Sequence, residues 1–121
     1  MLATLVMFAA GIGSVARYVV DEVVEHRTRG AFPLGTLVVN LSGALLLGLV
    51  TGLAVHHGLP SRPTVVAGTG LIGGYTTFST WAWESVALTD FGEVRAAVLN
   101  VVGSFALGLA AGAAGLGLAL L

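Results

Sequence analysis

Hydrophobic and polar positions fall into long blocks along this chain, not into the short alternation of a soluble fold. A transmembrane helix needs about 20 mostly apolar residues. Four blocks are that long, running from about Leu2 to Val20, Phe32 to Val55, Thr64 to Leu88 and Val94 to Leu120. The first continues to about Val24 as an interfacial turn. Between the blocks lie a charged connection from Asp21 to Gly30, the His56–Pro63 loop, and a turn from Thr89 to Glu93. The pattern predicts an all-α membrane protein, residues 1–121 forming one four-span domain with both termini on the same side. Pro33 is expected in the first turn of span two, where proline is tolerated, and Asp90 is a candidate cap for span four.

The third block is the anomalous one. Gly68 to Thr80 holds four glycines, four threonines and a serine in 13 residues. Glycine costs roughly 1 kcal/mol in a helix interior relative to alanine, and threonine is stiff at χ1. Irregular backbone survives at membrane depth only where protein or a water-filled path surrounds it. The third helix is therefore expected to break near its middle, around Gly73-Gly74, and to be buried and functional there.

Composition narrows the class. The chain is 56% hydrophobic and 9% charged, with a mean hydropathy of +0.98, against about 25% charged residues in soluble domains. A net charge of −1 gives no basic surface for nucleic acid. The absence of cysteine removes disulfides, thiolate nucleophiles and thiolate metal sites, and no catalytic apparatus is evident, so the chain is not read as an enzyme. The N-terminal run lacks a positively charged start and an A-x-A-like cleavage pattern, which favours a retained span over a signal peptide. Arg27, Arg29 and Arg95 fall on one side with Arg17 near it, and Arg62 on the other. That is a small orientation bias, compatible with fixed or dual insertion.

Small residues recur at helix-packing spacing in Gly48/Gly52, Gly70/Gly74 and Gly108/Gly112. Such pairs let backbones approach where lipid removes the hydrophobic incentive, either within one subunit or between subunits. Polar residues within the spans are mostly neutral. Asn40 and Thr36 lie one turn apart in span two, and Asn100 and Ser104 repeat that spacing in span four. They serve either as a line of donors or as interhelical glue. Arg17 either snorkels to the interface or faces an aqueous vestibule. Glu84 is the one acid near a span interior, whereas proton-coupled carriers need an intramembrane acid. Neutral donors combined with aromatic ring edges, the positive side of the quadrupole, suit a small, strongly hydrated anion. Phe78 and Trp81 share a face at i, i+3.

Three segments carry a resemblance: Gly11-Ile-Gly-Ser-Val-Ala-Arg-Tyr18, Gly35-Thr-Leu-Val-Val-Asn-Leu-Ser-Gly43 and Gly73-Gly-Tyr-Thr-Thr-Phe-Ser-Thr-Trp-Ala-Trp-Glu84. Asn100-Val-Val-Gly-Ser104 adds support. Together they resemble the Fluc (CrcB) fluoride channel family over the whole chain. The resemblance implies an antiparallel, dual-topology homodimer in the cell inner (plasma) membrane, with two fluoride paths exporting cytoplasmic fluoride passively and conferring resistance. It also implies a structural, untransported Na+ at the dimer centre, held by the backbone carbonyls of Gly73 and Thr76. Asn40 would be the pore asparagine and Phe78 the first of two pore phenylalanines. The second falls at Trp81, a departure that brings a larger ring and an N–H donor. Thr36 and Ser104 match the polar track, and Asn100 stands where some members carry tyrosine. Arg17 and Glu84 match motif residues of vestibular or structural role. The implied partners are fluoride, membrane lipid, and a second copy of the chain or a close paralogue. A broken helix exposes carbonyls of the kind that bind Na+ in other membrane proteins. The alternatives are a proton-coupled small multidrug-type transporter, one subunit of a heterodimeric fluoride channel, and a non-transporting membrane subunit.

Overall fold

The computed structural model covers residues 1–121 and contains helices without any β-strand. Helix α1 spans Leu2–Arg27, so most of the connection expected from Asp21 onward is helical. Its last turns suit a helix C-terminus: His26 Nε2 lies 2.8 Å from Glu22 Oε1 one turn back, and Arg27 occupies the end where a cation opposes the macrodipole. Helix α2 spans Leu34–His57, and Pro33 sits just before it with a non-helical ψ of 76°. Contrary to the expectation from sequence, the proline lies outside the first helical turn; Glu25 Oε1 accepts the Gly35 N–H at 2.9 Å and fixes the corner between α1 and α2. Gly58 ends α2 in the left-handed region, φ 66°, where glycine lacks the Cβ penalty.

The third block divides into two helices. Helix α3, residues 61–75, starts as α-helix over Ser61–Val65, widens to π-helix over Val66–Ile72, and closes with Gly73–Tyr75. Residues 76–78 are non-helical, and helix α4 covers Ser79–Asp90. Gly73 itself is helical, φ −62° and ψ −38°. The interruption thus falls at 76–78, beyond Gly73-Gly74: Gly74 serves close packing against Ala10, and replacement hydrogen bonds are supplied at Thr77. Helix α5, Val94–Leu118, contains a second π-helical stretch at Leu99–Gly103. Asp90 is the last residue of α4 and does not cap α5; Glu93 precedes α5 without a side-chain capping bond. Three helices, α1, α2 and α5, are each long and apolar enough to cross a membrane.

Glycine dominates what is buried. Gly13, Gly35, Gly43, Gly48, Gly52, Gly70 and Gly115 are all inside, whereas the buried apolar side chains are Pro33, Val39, Ile72, Leu88, Ala97 and Ala119. A Cβ at Gly13 would collide with the Leu71 carbonyl, and one at Gly74 with that of Ala10, so α1 and α3 meet backbone to backbone. On the other side, a Cβ at Gly48 would strike the Gly112 carbonyl and one at Gly115 the Leu45 carbonyl, which fixes the α2–α5 contact. Lipid tails offer no hydrophobic drive for this association, so close packing must supply it. Gly108 departs from the expected spacing: nothing lies within 4 Å of a Cβ placed there, and Gly115 takes the packing role. The outward faces carry large apolar side chains such as Phe8, Ile12, Val102, Phe105 and Leu109.

Gly115→Ala should destabilise the folded protein in detergent by about 1–3 kcal/mol through overpacking, while Gly108→Ala should be neutral or stabilise it by up to about 1 kcal/mol, since alanine is the better helix former. Unfolding followed by circular dichroism checks this, and equal effects at the two sites would contradict the packing described.

Candidate functional site

Where α3 ends, the Thr76 N–H still donates to the Ile72 carbonyl at 2.9 Å, but the carbonyls that follow and the Thr77 N–H need other partners. In a continuous helix the Thr77 N–H would bond to the Gly73 carbonyl. Here it donates to Asn40 Oδ1 at 2.9 Å, and Asn40 Nδ2 donates to the Thr77 carbonyl at 2.8 Å. One carboxamide thus satisfies both main-chain groups of Thr77. Arg17 Nη1 donates to the Thr76 carbonyl at 3.1 Å, and the Ser14 hydroxyl reaches the Gly74 carbonyl at 3.2 Å. The Gly73 carbonyl accepts no hydrogen bond. Thr76 Oγ1 donates to the Ile72 carbonyl at 3.1 Å, and its methyl occupies the space Gly43 leaves open.

Thr77 also starts α4. Its Oγ1 accepts the Thr80 N–H at 3.2 Å and donates to Thr80 Oγ1 at 3.0 Å, the reach of an N-terminal cap. Sequence reading passed over Thr77 as an individual; its spacing three before Thr80, at the start of a helix, is the signal that marks it. Tyr75 and Ser42 tie α3 to α2 through a 2.8 Å hydroxyl contact, and nothing in their sequence spacing announces it.

Most of the sequence-named residues fall into two compartments that share Thr77, while Gly73, Glu84 and Asn100 line neither. The first is a surface groove of about 400 Å³ lined by Asn40, Thr76, Thr77, Phe78, Trp81, Ser104 and Phe105, with no charged side chain among them. The Phe78 and Trp81 rings stand 5.3 Å apart at 52°. Phe78 is largely exposed. The second is a polar cavity of about 210 Å³ lined by Ser14, Arg17, Tyr18, Asp21, Thr36, Val39, Thr77 and Thr80. Thr36, almost fully buried, donates to Glu84 Oε1 at 2.8 Å, while Glu84 Oε2 is buried without a partner.

Asn100 belongs to neither compartment. It is fully buried, with Nδ2 donating to Ser85 Oγ at 3.0 Å and Oδ1 accepting from Ser104 Oγ at 3.3 Å. The Trp81 indole N–H donates to the Asn100 main-chain oxygen at 3.0 Å. The asparagines of α2 and α5 therefore do not form one continuous line of free donors.

An all-helical chain with three membrane-length apolar helices and a polar site at a helix interruption is a multi-pass membrane protein. A family model described as CrcB-like protein, Camphor Resistance (CrcB), matches residues 4–116. Fluoride-specific ion channel FluC 1 of Leifsonia xyli subsp. xyli is 52% identical over 113 residues, covering 93% of this chain and 81% of the relative. Fluoride-specific ion channel FluC 2 of Mycobacterium tuberculosis (strain ATCC 25618 / H37Rv) is 49% identical over 106 residues, 88% and 81% of the two chains. Fluoride-specific ion channel FluC 2 of Moorella thermoacetica is 46% identical over 110 residues, 89% and 88%. The chain belongs to the CrcB family.

Asn40→Ala strips the Thr77 N–H and carbonyl of their partners, at about 1–3 kcal/mol for each group left unsatisfied. Thermal unfolding in detergent should register a clear loss of stability. An unchanged midpoint would show that Asn40 does not hold the interruption.

Proposed function

We propose that the chain is a subunit of a passive, fluoride-selective channel. It carries cytoplasmic fluoride out across the cell membrane down its gradient and so confers resistance. The single observation that carries this reading is the uncharged groove with its aromatic pair, in a chain about half identical to relatives named as fluoride-specific channels. A small anion leaving water needs donors to replace its hydration, and conduction requires that they bind it weakly enough to let it go. Asn40 keeps one amide hydrogen beyond the bond to Thr77. The ring edges of Phe78 and Trp81 add the positive side of their quadrupoles. Thr36 and Ser104 belong to the polar track of the same reading. Arg17 and the charged cavity act as a vestibule that draws anions toward the path.

The groove is open on one side, so the reading includes a second subunit, either an antiparallel copy or a close paralogue. Tagging each terminus for its side of the membrane separates the two: two populations mean dual insertion, and one means a fixed orientation with a distinct partner.

Na+ at the subunit interface, structural and not transported, belongs to the same proposal. Gly73 is exposed and its carbonyl has no hydrogen-bond donor, which suits a hard cation that takes oxygen ligands. The Thr76 carbonyl already accepts from Arg17 and retains one lone pair, with the guanidinium charge opposing a cation beside it. When bound, Na+ would supply fixed positive charge next to the anion path.

Proteoliposomes should release fluoride down its gradient without a proton gradient, and release chloride at least about tenfold more slowly, a difference of ~1.4 kcal/mol in barrier. Equal chloride efflux would overturn the selectivity. Removing sodium during reconstitution should lower the flux, and full activity without sodium would remove Na+ from the proposal. The unpartnered Glu84 Oε2 favours the acid-dependent multidrug-type transporter as the second reading. Glu84→Gln abolishing pH-driven cation efflux would establish it in place of the channel.

A further inference from the structure

The Trp81 indole is held in a closed ring of hydrogen bonds between α4 and α5. Its Nε1–H donates to the Asn100 main-chain oxygen at 3.0 Å. Asn100 Nδ2 donates to Ser85 Oγ at 3.0 Å, and the Ser85 hydroxyl donates back to the Trp81 main-chain oxygen at 2.8 Å. Ser104 braces the ring from α5: its Oγ donates to Asn100 Oδ1 at 3.3 Å and its N–H to the Asn100 carbonyl. Asn100 is fully buried, and Ser85 is buried as well. Buried polar networks of this kind rigidify what they contain when every member is satisfied.

We propose that Asn100 and Ser85 are positioning residues that fix the Trp81 ring, and with it the aromatic wall shared with Phe78, instead of contacting the permeating ion. The functional consequence rests on the fluoride-path reading above. A free indole N–H facing the groove would add a further, localised donor to its wall. Bonded to the Asn100 carbonyl, that N–H is occupied, and the ring offers the groove its carbon edge. The hydrogen-bonded clamp thus lets a tryptophan serve as an aromatic wall. A phenylalanine at position 81 has no N–H and would be fixed by packing alone.

The test uses the full chain with Trp83→Phe, which leaves Trp81 as the only tryptophan. In resonance Raman spectra the N–H-sensitive indole band should lie at its hydrogen-bonded position, with and without fluoride. A free-indole position, or a shift on adding fluoride, overturns the proposal without any substitution in the ring. Ser85→Ala should lower Trp81 fluorescence anisotropy and reduce fluoride efflux from proteoliposomes about fivefold, the scale of one net hydrogen bond. In the Trp81→Phe protein the same Ser85→Ala change should alter efflux by less than about twofold, since the coupled partner is gone. Equal losses in the two backgrounds, or unchanged Trp81 anisotropy in Ser85→Ala, overturn it. If the unsubstituted protein passes no fluoride, the channel reading fails, and the two spectroscopic readouts still decide the clamp.

Discussion

The structure depends on satisfying the main chain at Thr77. A peptide group in an apolar medium must find a partner, and a helix supplies one automatically until it stops. Where α3 stops, the Asn40 carboxamide takes over, accepting the Thr77 N–H and donating to its carbonyl. Arg17 and Ser14 meet the neighbouring carbonyls of Thr76 and Gly74. The stretch 76–78 is thus held from α1 and α2 together, and Thr77 in turn holds the first turn of α4.

That arrangement requires the helices to be close, which explains where the glycines are. Gly13 and Gly74 bring α1 against α3 beside the interruption, and Gly43 makes room for the Thr76 methyl. Farther along, Gly48 and Gly115 lock α2 to α5, and α5 carries the Asn100 carbonyl that receives the Trp81 indole. Packing without large apolar side chains leaves those side chains on the outside of the chain.

The site is organised by a separation of charge. Arg17 and Asp21 line one cavity, and the groove bearing Phe78 and Trp81 has no charged lining; Thr77 is common to both. In a low-dielectric surround a full charge acts strongly over several ångströms. Both charged side chains, Arg17 and Asp21, are thus kept out of the lining of the aromatic groove.

Much of this protein is determined by its sequence alone. Block hydrophobicity fixes a helical membrane protein, because bilayer thickness sets the block length. The glycine- and threonine-rich third block marks the place where regular structure gives way, and the motifs in three helices place the chain in its family. Other features only the tertiary structure decided. The interruption lies at residues 76–78 and not at Gly73-Gly74, since it falls where Asn40 can replace the lost bonds and not where the local propensity is worst. The two π-helical stretches have no local signature. Asn100 and Asn40 read alike along the chain, each with a hydroxyl residue one turn away, yet Asn100 is sealed behind Trp81 while Asn40 borders the groove. Linear spacing reports which residues share a helix face. Whether that face meets a neighbouring helix or an open groove is set by helix rotation, and so by which glycines touch.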